Sequence, residues 1–492
     1  MKGRDKMTEV RTRYAPSPTG YMHIGNLRTA LYAYLFARKH GGKFLLRIED
    51  TDQERYVEGA VEVIYDTLRT VGIQWDEGPD IGGPYGPYVQ SERKAAGIYQ
   101  QYAEELIERG GAYRCFCSKE RLEALRKEAE ARKVPFKYDG HCRHMPRDEV
   151  RARLAAGEPY VIRQAIPEAG KTSFHDEVYG DVTVDNATLG DGILIKADGF
   201  PTYNFANVID DHLMQVTHVM RGSEFLSSTP RFILLYQAFG WPVPVHIHLP
   251  PIMKSATEKL SKRHGDASFQ DLLAQGYLPQ AILNYIALLG WGPGTDEEFF
   301  SLEEMVERFS IEGLSKSPAI FDEKKLRWMN GEYIRRMPLE DFEALAAPYY
   351  GAAASQPDTR RKLSALLQPR VERLADIPGQ IDFVAQLPDY DVSLYVNKKM
   401  KTDLALALDS LQHARAVLAE LADWNLASIQ QAMVDLAARL GRKNGQVMYP
   451  VRVALSGKEF TPGGAVELAD LLGREESLRR IDLGIEKLAA AV

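Results

Sequence analysis

Over the first ninety residues the hydrophobic and polar positions switch between two periods. A short apolar-rich run over Val10–Tyr14 gives way to a loop carrying Pro16, Pro18 and Gly20, and then to helically spaced apolar residues over Ile24–His40. Gly41 and Gly42 stop that helix, and Lys43-Phe-Leu-Leu-Arg-Ile48 is short and apolar enough to be a buried strand. Strand, loop, helix and strand in that order form the unit from which parallel sheets are built, so the pattern predicts a nucleotide-binding α/β architecture. From about Ala96 to Phe200 the alternation breaks. A charged helix is expected over Lys119–Lys133, then a Cys/His cluster, then glycine-punctuated strands from Tyr160 to Lys196, which together read as an insertion. Alternation resumes from Tyr203 to about Pro250, with a strand expected over Leu213–Met220 and a helix over Pro230–Phe239 before the turn at Gly240-Trp-Pro.

Beyond Leu260 strand signals nearly vanish. Helical spacings run over Pro279–Leu289, Leu302–Phe309 and Phe321–Met329, and the Ala- and Leu-rich remainder, broken at Pro357, Pro369, Pro378 and Pro388, predicts one or two small helical bundles. The expected organisation is a parallel-sheet domain over residues 1–95 and 201–257, an insertion over 96–200, a helical segment over 258–338, and two helical subdomains over 339–388 and 389–492.

Composition narrows the class. The 492 residues are 45% hydrophobic and 26% charged, which is ordinary for a globular chain of several packed units. Apolar runs stay well short of the roughly 18 residues of a membrane span, the longest candidate being the mixed run Thr29–Ala37, and the polar start lacks a secretory pattern. A cytoplasmic chain without a membrane partner is expected, and the lack of a heptad run or long apolar stripe points to a monomer. Sixty-one Lys and Arg against 68 Asp and Glu give a net charge of -7, which argues against whole-surface polyanion binding and leaves room for a local basic face. Three cysteines cannot staple a chain of this size.

Three constellations carry chemistry. The first is Ala15-Pro-Ser-Pro-Thr-Gly-Tyr-Met-His23-Ile-Gly25-Asn26, between the first strand and the first helix, where ligands of open α/β sheets meet glycine turns and helix N-termini. Alone, its H-x-G is equally compatible with an exposed loop histidine. The second is the cationic loop Lys259-Leu-Ser-Lys262-Arg263, which alone reads as a solvated charge run. The third is Cys115-Phe-Cys117 with Cys142-Arg-His144, a donor set able to close a tetrahedral Zn²⁺ shell of structural type. His141 and Tyr138 compete as ligands, and three small buried residues beside an unrelated histidine is the alternative. A basic stretch from Arg360 to Arg373 would, by helical periodicity, gather Arg360, Arg370 and Arg373 near one exposed face, and Asn397-Lys-Lys-Met-Lys401 adds a second cationic loop.

Taken together, H-I-G-N after the first strand and K-L-S-K-R after the sheet resemble the HIGH and KMSKS signatures of class I aminoacyl-tRNA synthetases. Arg13-Tyr-Ala-Pro-Ser-Pro-Thr-Gly, Leu46-Arg-Ile-Glu-Asp-Thr-Asp52, Phe200-Pro-Thr-Tyr-Asn-Phe-Ala-Asn207 and Lys259 to Arg263 narrow the resemblance to the bacterial glutamyl-tRNA synthetase family. The likeness is dense over the first 330 residues and thinner beyond, where Leu326-Arg-Trp-Met-Asn-Gly and Pro450-Val-Arg-Val-Ala-Leu-Ser-Gly carry it. It implies ATP with Mg²⁺, L-glutamate and tRNA(Glu) as partners. It assigns His23, Gly25, Lys259 and Lys262 to catalysis, and Arg13, Ala15, Ser17, Glu49, Tyr203, Asn207 and Arg221 to glutamate. ATP would meet His23, Gly25, Glu224, Ile252, Lys259, Leu260, Ser261, Lys262 and Arg263, and Arg370 would read the anticodon. Zinc does not follow from membership, since some relatives lack the cysteines. A shortened paralogue without an anticodon domain is too short to account for residues 331–492, a small-molecule nucleotidyltransferase would need neither insertion nor helical half, and a non-catalytic RNA-binding relative would not keep His23, Gly25, Lys259 and Lys262.

Overall fold

The structure is a computed structural model that describes residues 9–52, 54–260, 268–354 and 356–492. Its first strand, β1 (Arg11–Tyr14), leads through the Pro/Gly loop into helix α1 (Ile24–Lys39) and on to β2 (Lys43–Leu46), which pairs with β1 in parallel from Arg11 opposite Lys43 to Tyr14 opposite Leu46. Helix α1 is buried almost all round, from Ile24 to Ala37, because the sheet covers one side and later helices cover another. It ends where Gly41 turns left-handed and the Gly42 amide returns to the Ala37 carbonyl (2.8 Å). A Cβ on Gly42 would lie 2.1 Å from the Val10 carbonyl oxygen, so glycine alone lets the chain re-enter the sheet here.

A second such unit lies in a separately paired sheet beside the first. Helix α2 (Tyr203–Leu213) precedes β3 (His218–Gly222), and helix α3 (Thr229–Phe239) connects it to the parallel strand β4 (Val245–Leu249). Thr217 joins the halves, its amide donating to the Arg11 carbonyl (2.9 Å) and its hydroxyl accepting from the Arg11 amide (2.8 Å). The carboxyl ends of these strands therefore share one edge. The strand expected over Leu213–Met220 starts five residues later: Leu213 and Met214 close α2, and Gln215 takes a positive φ of 56° that ends the helix before the chain extends.

The insertion contains an antiparallel sheet of Ala112–Cys115, Val161–Gln164 and Ile193–Ile195, and a hairpin of Lys171–Asp176 with Gly180–Asp185. The hairpin reaches the main sheet through one parallel bridge, Asp176 opposite His246. Two of its helices, Lys119–Ala131 and Arg147–Ala155, bury no residue, consistent with their charge.

The chain divides into two units, one running to Leu272 with Ile282–Asp322, the other comprising Leu273–Ala281 and Glu323–Val492. The domain limits expected at 338/339 and 388/389 are finer than this division. The second unit is helical, with one apolar core that includes Phe342, Leu363, Phe383, Leu411, Met433, Val453 and Ile481. Pro357 and Pro378 start helices, as their missing N–H allows, whereas Pro348 and Pro450 lie inside Leu339–Tyr350 and Asn444–Ser456. Among the described residues no helix is long and apolar enough to cross a membrane.

Candidate active site and metal centre

Two adjacent carboxylates on α2, Asp210 and Asp211, are almost completely buried, and such charges persist only when fully paired. Asp211 faces Arg13 on β1 through both oxygens (3.2 Å each) and Arg47, just after β2, through Oδ1 (2.8 Å). Asp210 accepts from Arg93 (2.6 Å), Gln90 (2.8 Å) and Tyr99 (2.9 Å). Arg47 also holds Glu49 Oε1 at 2.8 Å. Burial pushes both Asp211 and Glu49 upward. For Asp211 the guanidinium groups of Arg13 and Arg47 outweigh burial and hold it at about 2, whereas for Glu49 burial wins and its pKa rises.

This network forms the floor of a cavity of about 430 Å³ at the carboxyl edge of the sheet. Arg13, Ala15, Ser17, Glu49, Tyr203, Arg221 and Glu224, expected from sequence to bind substrate, line it together. So do Asn26, Thr29, Thr51, Asp52, Arg55, Tyr56 and Phe225, which were not anticipated; Asn26, Thr51 and Asp52 lie in the quoted motifs, where motif membership was the available signal, and the other four lie outside them. The hydroxyl of the half-buried Tyr203 is shifted upward by desolvation and its ring packs on Phe225 (4.9 Å). Asn207 is not brought to the wall: it is buried and donates to the Tyr203 carbonyl (2.6 Å) one turn back.

Arg13 and Arg221, the two buried arginines of the cavity, differ. Arg13 is neutralised by Asp211, but Arg221 donates to His248 Nε2 and Thr229 Oγ1 (3.2 Å each), and among the described residues no carboxylate forms an ion pair with it. Burial lowers its pKa from the ordinary arginine range, which remains far above neutrality. The wall thus carries a buried positive charge that an anionic ligand would offset.

Beside the cavity, His23 caps α1. Its Nδ1 accepts from the Gly25 amide (3.0 Å), so in the neutral ring the proton sits on Nε2, a donor suited to a phosphate oxygen at a helix N-terminus. A Cβ on Gly25 would approach Nδ1 to 3.1 Å. Gly222 likewise leaves room for Glu224, whose carboxylate oxygen would be 2.1 Å from an added Cβ. Lys259 bridges back to Met253, and the Leu260 amide donates to the Ile252 carbonyl (3.2 Å), so the expected ATP-side residues Ile252, Lys259 and Leu260 do lie together. Ser261, Lys262 and Arg263 fall outside the described residues.

In the insertion, the sulfurs of Cys115, Cys117 and Cys142 lie within 4.8 Å of one another. The Tyr138 hydroxyl is 3.3 Å from the sulfurs of both Cys115 and Cys117 and accepts from the Cys142 amide (3.1 Å). His144 is not gathered with them: its exposed ring faces Glu168 at 3.5 Å, and His141 is exposed as well. Three soft sulfurs and a phenol fit a borderline-soft ion such as Zn²⁺.

The basic stretch is not one helical face. Its helix, Pro357–Leu367, stops before Pro369, which cannot continue the hydrogen-bond ladder. Arg361 pairs with Glu340 (3.0 Å), Lys362 with Asp358 and Asp470 (3.2 Å each), and Arg373 with Asp376 (2.7 Å). Arg370 is exposed, donating to the Leu366 carbonyl (2.8 Å), and Lys398, Lys399 and Lys401 are exposed in their loop.

A parallel β-α-β unit with a capped H-I-G-N helix, an insertion and a helical half is the plan of a class I aminoacyl-tRNA synthetase. Comparison bears this out: the profile of tRNA synthetases class I (E and Q), catalytic domain, matches residues 9–328, and that of an anticodon binding domain matches residues 341–485. Curated glutamate–tRNA ligases of Clostridium tetani and Clostridium kluyveri are 59% and 58% identical over 480 and 482 residues, covering 98% of this chain and 98% and 99% of theirs. A crystal structure of a glutamate tRNA ligase from Elizabethkingia meningosepticum in complex with its amino acid is 36% identical with a TM-score of 0.88, covering 98% of this chain and 100% of that one. The glutamate-tRNA synthetase of Elizabethkingia anophelis, also 36% identical, has a TM-score of 0.89 over 97% and 100% of the two chains. The chain belongs to the glutamate–tRNA ligase family.

Because Asp211 is held at about 2 against an ordinary 3.8, the stability it contributes is present above about pH 4 and lost as pH falls towards 2. Asp211→Asn, which leaves buried guanidinium charge unpaired, should cost on the order of 3 to 5 kcal/mol at pH 7. Urea unfolding at several pH values should show that gap narrowing as the pH drops from about 4 to about 2; a gap constant across this range would contradict the ionisation assigned to Asp211.

Proposed function

We propose that this chain attaches L-glutamate to tRNA(Glu) in two ATP-dependent steps, and that the buried Arg221, which lines the cavity and forms no ion pair among the described residues, is the observation that carries the choice of an acidic amino acid. In the first step the glutamate α-carboxylate attacks the α-phosphorus of ATP and pyrophosphate leaves. In the second a hydroxyl of the terminal tRNA ribose attacks the adenylate carbonyl and AMP leaves. Neither step needs a protein nucleophile, so alignment and charge neutralisation are what the protein supplies. Mg²⁺ carried with ATP would neutralise phosphate charge.

The residue roles follow from position. Arg221 and Arg13 meet the side-chain carboxylate, Glu49 and Ser17 accept from the ammonium, and Tyr203 closes that wall. Ala15 lends backbone at the strand end, while Asn207 acts indirectly by fixing the Tyr203 turn. The Nε2–H of His23 meets a phosphate oxygen, Gly25 admits adenosine, Glu224 and Ile252 lie on the nucleotide side, and the Lys259–Arg263 loop, with Lys259 and Lys262 foremost, stabilises departing pyrophosphate. Arg221→Gln should raise the glutamate KM on the order of tenfold to a hundredfold with little change for ATP, the loss expected of a charged hydrogen bond. Saturation curves for each substrate check this, and an ATP-only effect would reassign the residue.

Cys115, Cys117 and Cys142 would hold a structural Zn²⁺, with Tyr138 as the donor already in place and His144, the fourth ligand expected from sequence, turned towards Glu168. Metal analysis should find about one zinc per chain. Tyr138→Phe should then lower zinc content more than His144→Ala does; the reverse ranking would give the fourth position to His144.

Arg370 would read the third anticodon base, where tRNA(Glu) has C and tRNA(Gln) has G. Cytosine offers O2 and N3 acceptors to a guanidinium, whereas guanine presents donors on the same edge. Arg370→Gln should narrow the preference for tRNA(Glu) by roughly tenfold, as loss of a base contact does. Charging of both tRNAs by each protein is the measurement, and equal losses on the two would make Arg370 a phosphate contact.

A further inference from the structure

Arg221 is oriented by a buried chain of groups that begins in the insertion. His248 on β4 lies directly opposite Arg221 in the register of β3 and β4, and its ring is fully buried. Its Nε2 is 3.2 Å from Arg221 Nε and its Nδ1 is 2.6 Å from Asp176 Oδ2. Asp176, also fully buried, is the last residue of the strand Lys171–Asp176, and it accepts from the His248 amide through Oδ2 (3.2 Å) and from the Val178 and Tyr179 amides through Oδ1 (3.0 and 2.9 Å).

Proton accounting fixes the direction of this chain. An ionised carboxylate only accepts, so Nδ1 carries the imidazole proton and Nε2 presents a bare lone pair. That lone pair accepts the Arg221 Nε–H. Thr229 spends its own hydroxyl proton on the Phe225 carbonyl (3.0 Å), so its oxygen accepts from Arg221 Nη2. The guanidinium is thereby held along its Nε–Nη2 edge and also meets the Tyr203 hydroxyl, and its remaining N–H groups are those available to an incoming carboxylate. None of these partners neutralises it.

We propose that Asp176 and His248 are positioning residues that aim Arg221 at the substrate side-chain carboxylate, so that the hairpin of the insertion sets the affinity for glutamate. The proposal rests on reading Arg221 as a glutamate-binding residue. It gives the single bridge between Asp176 and His246 a role beyond sheet extension: a shift of the hairpin would move the carboxylate that selects the His248 tautomer.

Asp176→Asn provides a near-isosteric test. Because Asp176 Oδ1 already receives two backbone amides, the variant amide keeps its oxygen on that side and turns its NH₂ towards His248, giving up the longer hydrogen bond from the His248 backbone amide (3.2 Å). Nδ1 must then accept, the proton moves to Nε2, and two donors confront each other at Arg221. Charging of unfractionated bacterial tRNA, with glutamate and ATP varied separately, should show a glutamate KM raised on the order of tenfold or more and an ATP KM nearly unchanged. His248→Phe, which keeps the ring and removes both nitrogens, should do the same, and His248→Gln, which can restore an acceptor to Arg221, should recover most of the loss. An unchanged glutamate KM, parallel shifts for glutamate and ATP, or equal losses in the Phe and Gln variants would overturn the relay while the parent enzyme remained active. Absence of glutamate charging in the parent itself would overturn the underlying functional reading and the relay with it.

Discussion

The catalytic unit is organised by the cost of burying two neighbouring carboxylates. Asp210 and Asp211 follow one another on α2, so their charges repel, and neither has access to water that would screen the repulsion. The partners that offset them come from separate stretches of chain: Arg13 from β1, Arg47 from the segment after β2, and Arg93, Gln90 and Tyr99 from the helical segments that lead into the insertion. Three guanidinium groups, Arg13, Arg47 and Arg93, meet three carboxylates, Asp210, Asp211 and Glu49. Such a cluster is weak evidence for stability in itself, because desolvation consumes much of the Coulombic gain. Its value lies in geometry. The strands that carry Arg13 and Arg47 are pinned to α2, and Glu49 is fixed by the same guanidinium that holds Asp211. Since this floor is balanced, the charge of Arg221 stands out against it, and a dicarboxylate substrate brings the missing counter-charge.

Much of this was legible in sequence where local rules and the fold agree. The β1–α1–β2 unit was readable because two glycines and a clean change of period marked its limits, and the observed helix ends one residue from the expected limit. The strand over Leu213–Met220 was misplaced because an apolar run without period is shared by the end of a buried helix and the start of a strand, and the left-handed turn at Gln215 has no glycine to announce it. In the basic stretch, helical spacing was carried through Pro369, and the acidic residues that absorb Arg361, Lys362 and Arg373 are partly distant in sequence. The three thiols were legible from their spacing, and sequence placed His144 as the fourth donor with Tyr138 only as a competitor: the path from Tyr138 to Cys142, which folds the phenol back beside the sulfurs, depends on the local turn rather than on residue type. Asp176 and His248 escaped notice altogether. In Val-His-Ile-His-Leu the histidines look like the polar half of an alternating strand, and their meaning depends on pairing with β3.

The charge pattern also bears on how a net-negative chain can handle a polyanion. With more acids than bases overall, affinity for tRNA cannot come from a uniform field, and over the helical unit many basic side chains are spent on internal pairs. Those pairs leave exposed, among others, Arg370 just beyond a helix end, three lysines in the loop around Met400, and Arg439 and Lys443 near the end of a helix and the start of the next. A sparse set of cations on a negative background weakens non-specific attachment to nucleic acid, because each released counterion requires a cation in reach of a phosphate. Discrimination among tRNAs then has to come from the few contacts that touch bases, where an incorrect edge costs a hydrogen bond instead of a screened fraction of the total attraction. For the discrimination proposed at Arg370, weak general attraction with a small number of decisive contacts is the arrangement that favours release of the wrong partner.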